Sequence, residues 1–187
     1  GDFASAARSA YGASGKEQQE KDMTQTLSSD FKNVLKLNKL EFSDLKELLD
    51  TVTYTYNFTV KNEVNEVAGL HILKMPWSDC ITSLDFVSLE KRNYDLLLWK
   101  FAGSEQYYEK MLVEVPAGLK FAEVPKNTSI ENDFVSYSVT YKMVGAKMEV
   151  VRKLRYKKDI ITTAEYLAFK DTMNKISSSD NKQLGFK

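Results

Sequence analysis

Few side chains in this sequence could carry covalent chemistry. There is one cysteine, Cys80, and one histidine, His71. A Cys–His nucleophile needs its thiolate within hydrogen-bond reach of the imidazole, and a third group to orient the ring. Asp79 adjoins Cys80, but its side chain is expected to point elsewhere. The two residues are therefore read as structural, with His71 on a strand face and Cys80 in the loop after Pro76-Trp77. One histidine and one cysteine also fall short of a structural zinc set. Glu131-Asn132-Asp133 resembles a calcium loop only in its acids and is read as a turn. The eight glycines are scattered, so no phosphate-cradling loop is present. The sequence yields no catalytic residue, no metal ligand and no cofactor-binding residue, and the expectation is a domain that is not an enzyme and carries no cofactor.

The remaining candidates are aromatic or ionic. The chain has ten Tyr, ten Phe and two Trp, enough to fill a core and leave some at the surface. Trp77 and Trp99 are the candidate ligand contacts, since exposed aromatic rings stack on sugars or anchor peptides. Arg152 is the informative charge. It falls among Met148, Val150, Leu154 and Tyr156 on what reads as the apolar face of a strand. There it requires a carboxylate or several carbonyls. Glu165 and Asp133 are the expected partners. Lys plus Arg equals Asp plus Glu at 26 each, so the formal net charge is zero. That balance argues against a partner bound through phosphate neutralisation, and nucleic acid is not expected.

The elements that position these residues are clearest between residues 134 and 176. Val135, Tyr137, Val139, Tyr141 and Met143 alternate with polar residues, as do Met148, Val150, Arg152, Leu154 and Tyr156. A period of two puts each set on one face of a strand. Gly145 can supply the positive φ that a two-residue hairpin turn needs at its first position. Closing the turn at Gly145-Ala146 sets Met143 against Met148, Tyr141 against Val150, Tyr137 against Leu154 and Val135 against Tyr156. A slip of one residue would bury lysines instead. Thr162-Thr163-Ala164-Glu165 then reads as a capping box. Tyr166, Phe169, Met173 and Ile176 form one stripe of an amphipathic helix over residues 163–176.

Upstream, residues 1–30 are polar and read as a linker or helical lead-in, with Phe3, Ala6, Ala7, Ala10 and Tyr11 able to line a short helix. Residues 31–187 read as one domain. Strands are predicted near 34–40, 51–61, 68–75, 84–89, 94–101, 106–115 and 121–124. The stretch 43–49 reads as a short helix or a connection. Pro116 and Gly118 mark a turn, and all three prolines sit at strand ends, where a missing N–H breaks no ladder. About nine strands with frequent turns predict a mainly β fold, an antiparallel β-sandwich of immunoglobulin or fibronectin type, closed by the helix. A chain of 187 residues can bury about 70% of its unfolded surface, so neither metal nor disulfide is needed. No apolar run approaches the roughly 18 residues of a membrane span. No signal peptide is visible at Gly1-Asp2-Phe3-Ala4-Ser5, and the chain is expected to be a piece of a longer protein.

These residues also carry a resemblance. Val115-Pro116-Ala117-Gly118, Val124-Pro125, Ile130-Glu131-Asn132-Asp133-Phe134, Tyr137, Tyr141, Gly145, Val150-Val151-Arg152-Lys153-Leu154 and Tyr166-Leu167-Ala168-Phe169 resemble a bacterial domain of unknown function. It is the domain that follows a transglutaminase-like (papain-type) domain in multidomain cell-envelope proteins. Lys74-Met75-Pro76-Trp77 and Glu90-Lys91-Arg92-Asn93-Tyr94 agree, while Asp95 departs from the proline expected there. The resemblance spans about residues 33–187 and rests mostly on turn and core positions. It implies structural roles for Arg152, Gly145, Pro116, Gly118, Tyr137 and Tyr166. It implies an extracytoplasmic place, in the periplasm or cell envelope, and a catalytic triad that belongs to the preceding domain. The expected function is a non-catalytic accessory domain docked in cis on that domain. The alternative is a free-standing glycan- or peptide-binding sandwich that uses exposed aromatics.

Overall fold

A computed structural model describes residues 2–28, 31, 33, 35–77, 87–100 and 106–187. They fall into two compact units, Gly1–Asn65 and Glu66–Lys187.

The first unit holds helices α1 (Asp2–Tyr11) and α2 (Lys16–Ser28) and strands β1 (Leu35–Phe42) and β2 (Tyr54–Val60). The segment read as lead-in thus supplies two helices. α2 is polar around most of its surface, yet Met23 and Leu27, one turn apart, are buried with Leu35 and Leu40 of β1. β1 pairs antiparallel with β2, with a register shift between Leu37 and Lys39. Strict alternation would put Leu35, Leu37, Lys39 and Glu41 on one face. The extra residue, Asn38, brings Leu40 and Phe42 onto the face of Leu35 and Leu37 instead. Phe31, Phe58, Tyr56, Tyr54, Phe42 and Tyr11 make a continuous chain of rings, each 4.8 to 5.9 Å from the next. Residues 43–53 form a connection and not a helix. The Arg8 guanidinium donates to the carbonyls of Glu47 (2.7 Å) and Asp50 (2.9 Å), and Leu48 and Leu49 stand exposed between them.

The second unit contains two four-stranded antiparallel sheets. Its strands are β3 (Asn65–Val67), β4 (Leu70–Lys74), β5 (Leu96–Leu97), β6 (Gln106–Val113), β7 (Phe121–Glu123), β8 (Thr128–Glu131), β9 (Val135–Val144), β10 (Lys147–Tyr156), β11 (Ile160–Ile161) and β12 (Gln183–Phe186). One sheet runs β6-β10-β9-β8 and the other β3-β4-β12-β7, while β5 and β11 form a short ribbon of their own. Helix α3 (Tyr166–Asp180) packs Tyr166, Phe169, Met173 and Ile176 into a core with Val135, Tyr137, Val139, Val150, Leu154 and Leu184. The β9–β10 hairpin has the register the alternation demands, Met143 opposite Met148 through Val135 opposite Tyr156. Gly145 has φ +63° and Ala146 no positive φ, the II′ pattern that matches strand twist. Gly118, φ +93°, sits third in the turn closed by Leu119 N–H to the Pro116 carbonyl (3.1 Å), where a type II turn needs positive φ.

The fold is mainly β with antiparallel sheets and ends in a helix and a strand. Twelve strands lie among the described residues, against the nine predicted. Residues 87–89 form no strand, and 84–86 lie outside the described residues. The additions are β3, β8, β11 and β12, each of two to four residues, too short to show a period. The helix begins three residues later than the pattern implies and runs to Asp180. Residues 163–165 form the entry turn, in which the Glu165 carboxylate accepts from both the N–H and the hydroxyl of Thr162.

Candidate functional site

Two places in the second unit draw together the residues that sequence reasoning singled out. The first is buried. Arg152 is 1% exposed on the inner face of β10. Its Nε and Nη2 donate to the two oxygens of Asp180 at 3.1 and 2.8 Å, and Nη1 donates to Glu109 Oε2 at 2.9 Å. Glu109 lies directly across the sheet from it on β6. The partners expected from the sequence lie elsewhere: Glu165 is engaged by Lys158, and Asp133 makes no ion pair among the described residues. Asp180 closes α3 at the negative end of the helix dipole, a poor place for a buried carboxylate. Burial pushes its carboxyl above the ordinary aspartate range, while the Tyr137 hydroxyl and the Arg152 guanidinium pull the other way. Burial also works against the arginine charge, but Asp180 and Glu109 outweigh it and raise its pKa. Tyr137 donates its hydroxyl to Asp180 Oδ1 at 2.6 Å, and burial raises its pKa strongly.

Trp77 belongs to the same node. It is 5% exposed, so it offers no surface to a ligand. Its indole N–H donates to the Asp180 backbone carbonyl at 3.0 Å, satisfying one of the carbonyls a helix leaves open at its C-terminus. The Arg152 guanidinium lies 5.5 Å from its ring centroid. Sequence reasoning missed Asp180 and Glu109. A strand partner two positions from Tyr107 could have revealed Glu109; Asp180 had no local signal.

The second place is exposed. β5 pairs with β11, Ile160 opposite Leu97, and Trp99 N–H donates to the Asp159 carbonyl. Trp99, on the 3₁₀ turn Leu98–Lys100, is 58% exposed, with the Lys100 ammonium 5.4 Å from its ring centroid. Asp95 Oδ1 accepts from Thr163 N–H at 3.0 Å, which ties this segment to the start of α3. The Tyr166 hydroxyl, buried, donates to the Leu89 carbonyl (2.9 Å), and Arg92 stands 5.3 Å over the Tyr166 ring. Tyr166 therefore holds the 87–95 loop from below. Around these contacts Leu89, Tyr94, Trp99, Ile160 and Leu167 are all exposed.

Of the residues weighed for covalent or metal chemistry, those described take structural roles. His71 stacks on Phe186 at 5.3 Å. Cys80 lies outside the described residues. Asn132 Oδ1 accepts from the N–H groups of Phe134 and Val135, both 3.0 Å, so Glu131-Asn132-Asp133 is an Asx-type turn into β9. Among the described residues no three of His, Cys, Asp and Glu are placed to hold a metal ion. No helix among them is long and apolar enough to cross a membrane.

A β-rich unit built on turn glycines, a buried ion node and an amphipathic helix is a class of domain, and the class has a family. Residues 70–186 match the family described as a domain of unknown function with a solved structure (DUF3858), and the chain belongs to it. A crystal structure from Parabacteroides distasonis, named a "putative protease", is similar at 23% identity and TM-score 0.49, over 63% of this chain and 23% of that one. The matched region thus spans under a quarter of that protein's length. No curated protein matches the chain.

Proposed function

We propose that this chain is a non-catalytic accessory domain that docks in cis on a neighbouring domain of one longer polypeptide. The resemblance of its turn and core motifs makes that neighbour a transglutaminase-like domain, and makes the place of action the periplasm or cell envelope. The observation that carries the proposal is that Leu89, Tyr94, Trp99, Ile160 and Leu167, on segments tied together by the β5–β11 pairing and the Asp95 and Tyr166 hydrogen bonds, are each exposed. Exposed apolar groups of this kind mark interaction sites on folded domains. A contact of roughly 600–1,500 Å² between domains would cover these residues. In this reading the two four-stranded sheets are the layers of a sandwich, supported by the core that β9, β10 and β12 share with α3. The domain orients or walls the neighbour's cleft and supplies no catalytic group.

The test is hydrogen exchange on the chain alone and on the longer gene product that joins it to its neighbour. Amides of residues 94–100 and 160–167 should exchange more slowly in the longer protein, and Trp99→Ala should remove the difference. Equal exchange in both proteins would sink cis docking.

Trp99 itself favours a second reading. An exposed indole with a lysine beside it is a platform for a glycan or peptide ligand of the free-standing domain. Binding by the isolated chain that Trp99→Ala abolishes would support it.

A further inference from the structure

The outward face of the β6-β10-β9-β8 sheet does not include Trp99, which is on the 3₁₀ turn after β5. The pairing registers set Tyr108, Lys153, Ser138 and Ser129 in one row across all four strands. Arg155 occupies the next row, two residues along β10. Tyr108 is 58% exposed although the Lys153 ammonium lies 5.7 Å from its ring centroid. The acids on this face are already neutralised. Glu149 pairs with Lys110 at 2.6 Å, and Glu131 is engaged by Lys157. Lys153 and Arg155 have no carboxylate within ion-pair reach among the described residues, so the face carries surplus positive charge around one aromatic ring.

We propose that this face binds an acidic glycan, a chain of uronic-acid type. A pyranose ring stacks on Tyr108, its carboxylate pairs with Arg155 and Lys153, and its hydroxyls meet Ser138 and Ser129. Charge complementarity selects an anion. The form of the face selects among anions. A protein partner favours an apolar, aromatic-rich centre, whereas here one ring is flanked by hydroxyls and cations. A polyphosphate chain calls for a long basic stripe, whereas the cations beside Tyr108 are Lys153 and Arg155, two residues apart on one strand. A planar guanidinium matches a carboxylate with two parallel hydrogen bonds, and this gives Arg155 the larger share of selectivity.

The test titrates the full, isotopically labelled chain with tetragalacturonate, neutral galactotetraose and tetraglutamate, followed by amide chemical shifts. Tetragalacturonate should shift amides of β6, β9 and β10 and leave those near Trp99 unmoved. Arg155→Gln with Lys153→Gln should weaken it about tenfold. Tyr108→Ala should weaken it while Tyr108→Phe restores it, and the spectra themselves report that each variant is folded. Absence of shifts at millimolar tetragalacturonate would overturn the proposal, as would shifts confined to other surfaces. Equal binding of galactotetraose or of tetraglutamate would overturn it too, the first by removing the role of charge and the second by leaving only charge.

Discussion

The two units bury their apolar residues to different depths. In the second, nineteen residues form one buried cluster that includes helix, hairpin and C-terminal strand. In the first, the buried cluster among the described residues has four members, and eight more, six of them aromatic rings, are partly covered around it. The difference follows from architecture. A sheet of four strands with a helix laid on it encloses side chains on all sides, while a two-stranded ribbon under one helix leaves its flanks wet. It also decides what each unit can hold. Only an enclosed core makes an ion node such as Arg152–Asp180–Glu109 strongly coupled, because only there is water excluded.

The comparison sharpens first at that node. Asp180→Ala leaves the Arg152 charge buried with one carboxylate instead of two, and should cost about 3–5 kcal/mol. Arg152→Met strands Asp180 in the same way and should cost a similar amount. The double variant should recover much of the loss, since neither charge is then left alone. Urea unfolding measures all three, and midpoints that stay put in the single variants would break the contrast between the units.

A smaller effect is expected in the first unit. Leu40→Ala removes one of the four members of its buried cluster. The cost should fall near about 2 kcal/mol, the low end for leucine truncation, because the half-open surroundings can collapse onto the site. Amide exchange in β1 and β2 should already be faster than in β9 and β10, and this variant should widen the gap. A larger loss here than at Asp180 would reverse the comparison.

The smallest effect is a pH dependence at the entry of α3. The Lys158 ammonium first, then the Thr162 N–H and hydroxyl, lower the Glu165 carboxyl from 4.5 to about 2. The folded carboxyl then titrates below the unfolded one, so it favours folding above about pH 4.5 and that favour fades as pH falls towards 2. Glu165→Gln should be less stable than the parent near neutrality, and the difference should close as pH falls from about 4.5 towards 2. Acid unfolding curves that superimpose for the two proteins would refute the role of this carboxylate.

How legible these features are depends on the range of the forces that set them. The β9–β10 register is local: two alternating runs and one glycine determine it. The stripe on α3 is local too. Asp180 is not, because nothing near it in sequence distinguishes a buried aspartate from the acids and amides of a solvated helix end. Trp77 and Trp99 look alike in the sequence and separate in the structure, since Trp77 is drawn in by a carbonyl 103 residues away. α2 reads as polar because two apolar residues suffice to seat it on β1. β12 is four residues with a glycine among them, and only its neighbours make it a strand. The exposed group around Trp99 depends on β5 and β11, each two residues long, which no period can announce.

The place of β12 governs how the unit assembles. It lies between β4 and β7, pairing Gln183 with Lys74 and Gly185 with Glu123. The partners on β4 are roughly a hundred residues away, so the ladder closes a long loop before any bond rewards it. The β9–β10 hairpin needs no such closure and can form within microseconds. The hairpin therefore leads, and the β3-β4-β12-β7 sheet waits for the far segment to thread between two strands that cannot otherwise meet. Until then β4 and β7 present open edges, and that interval is when the chain is most exposed to pairing with the wrong strand.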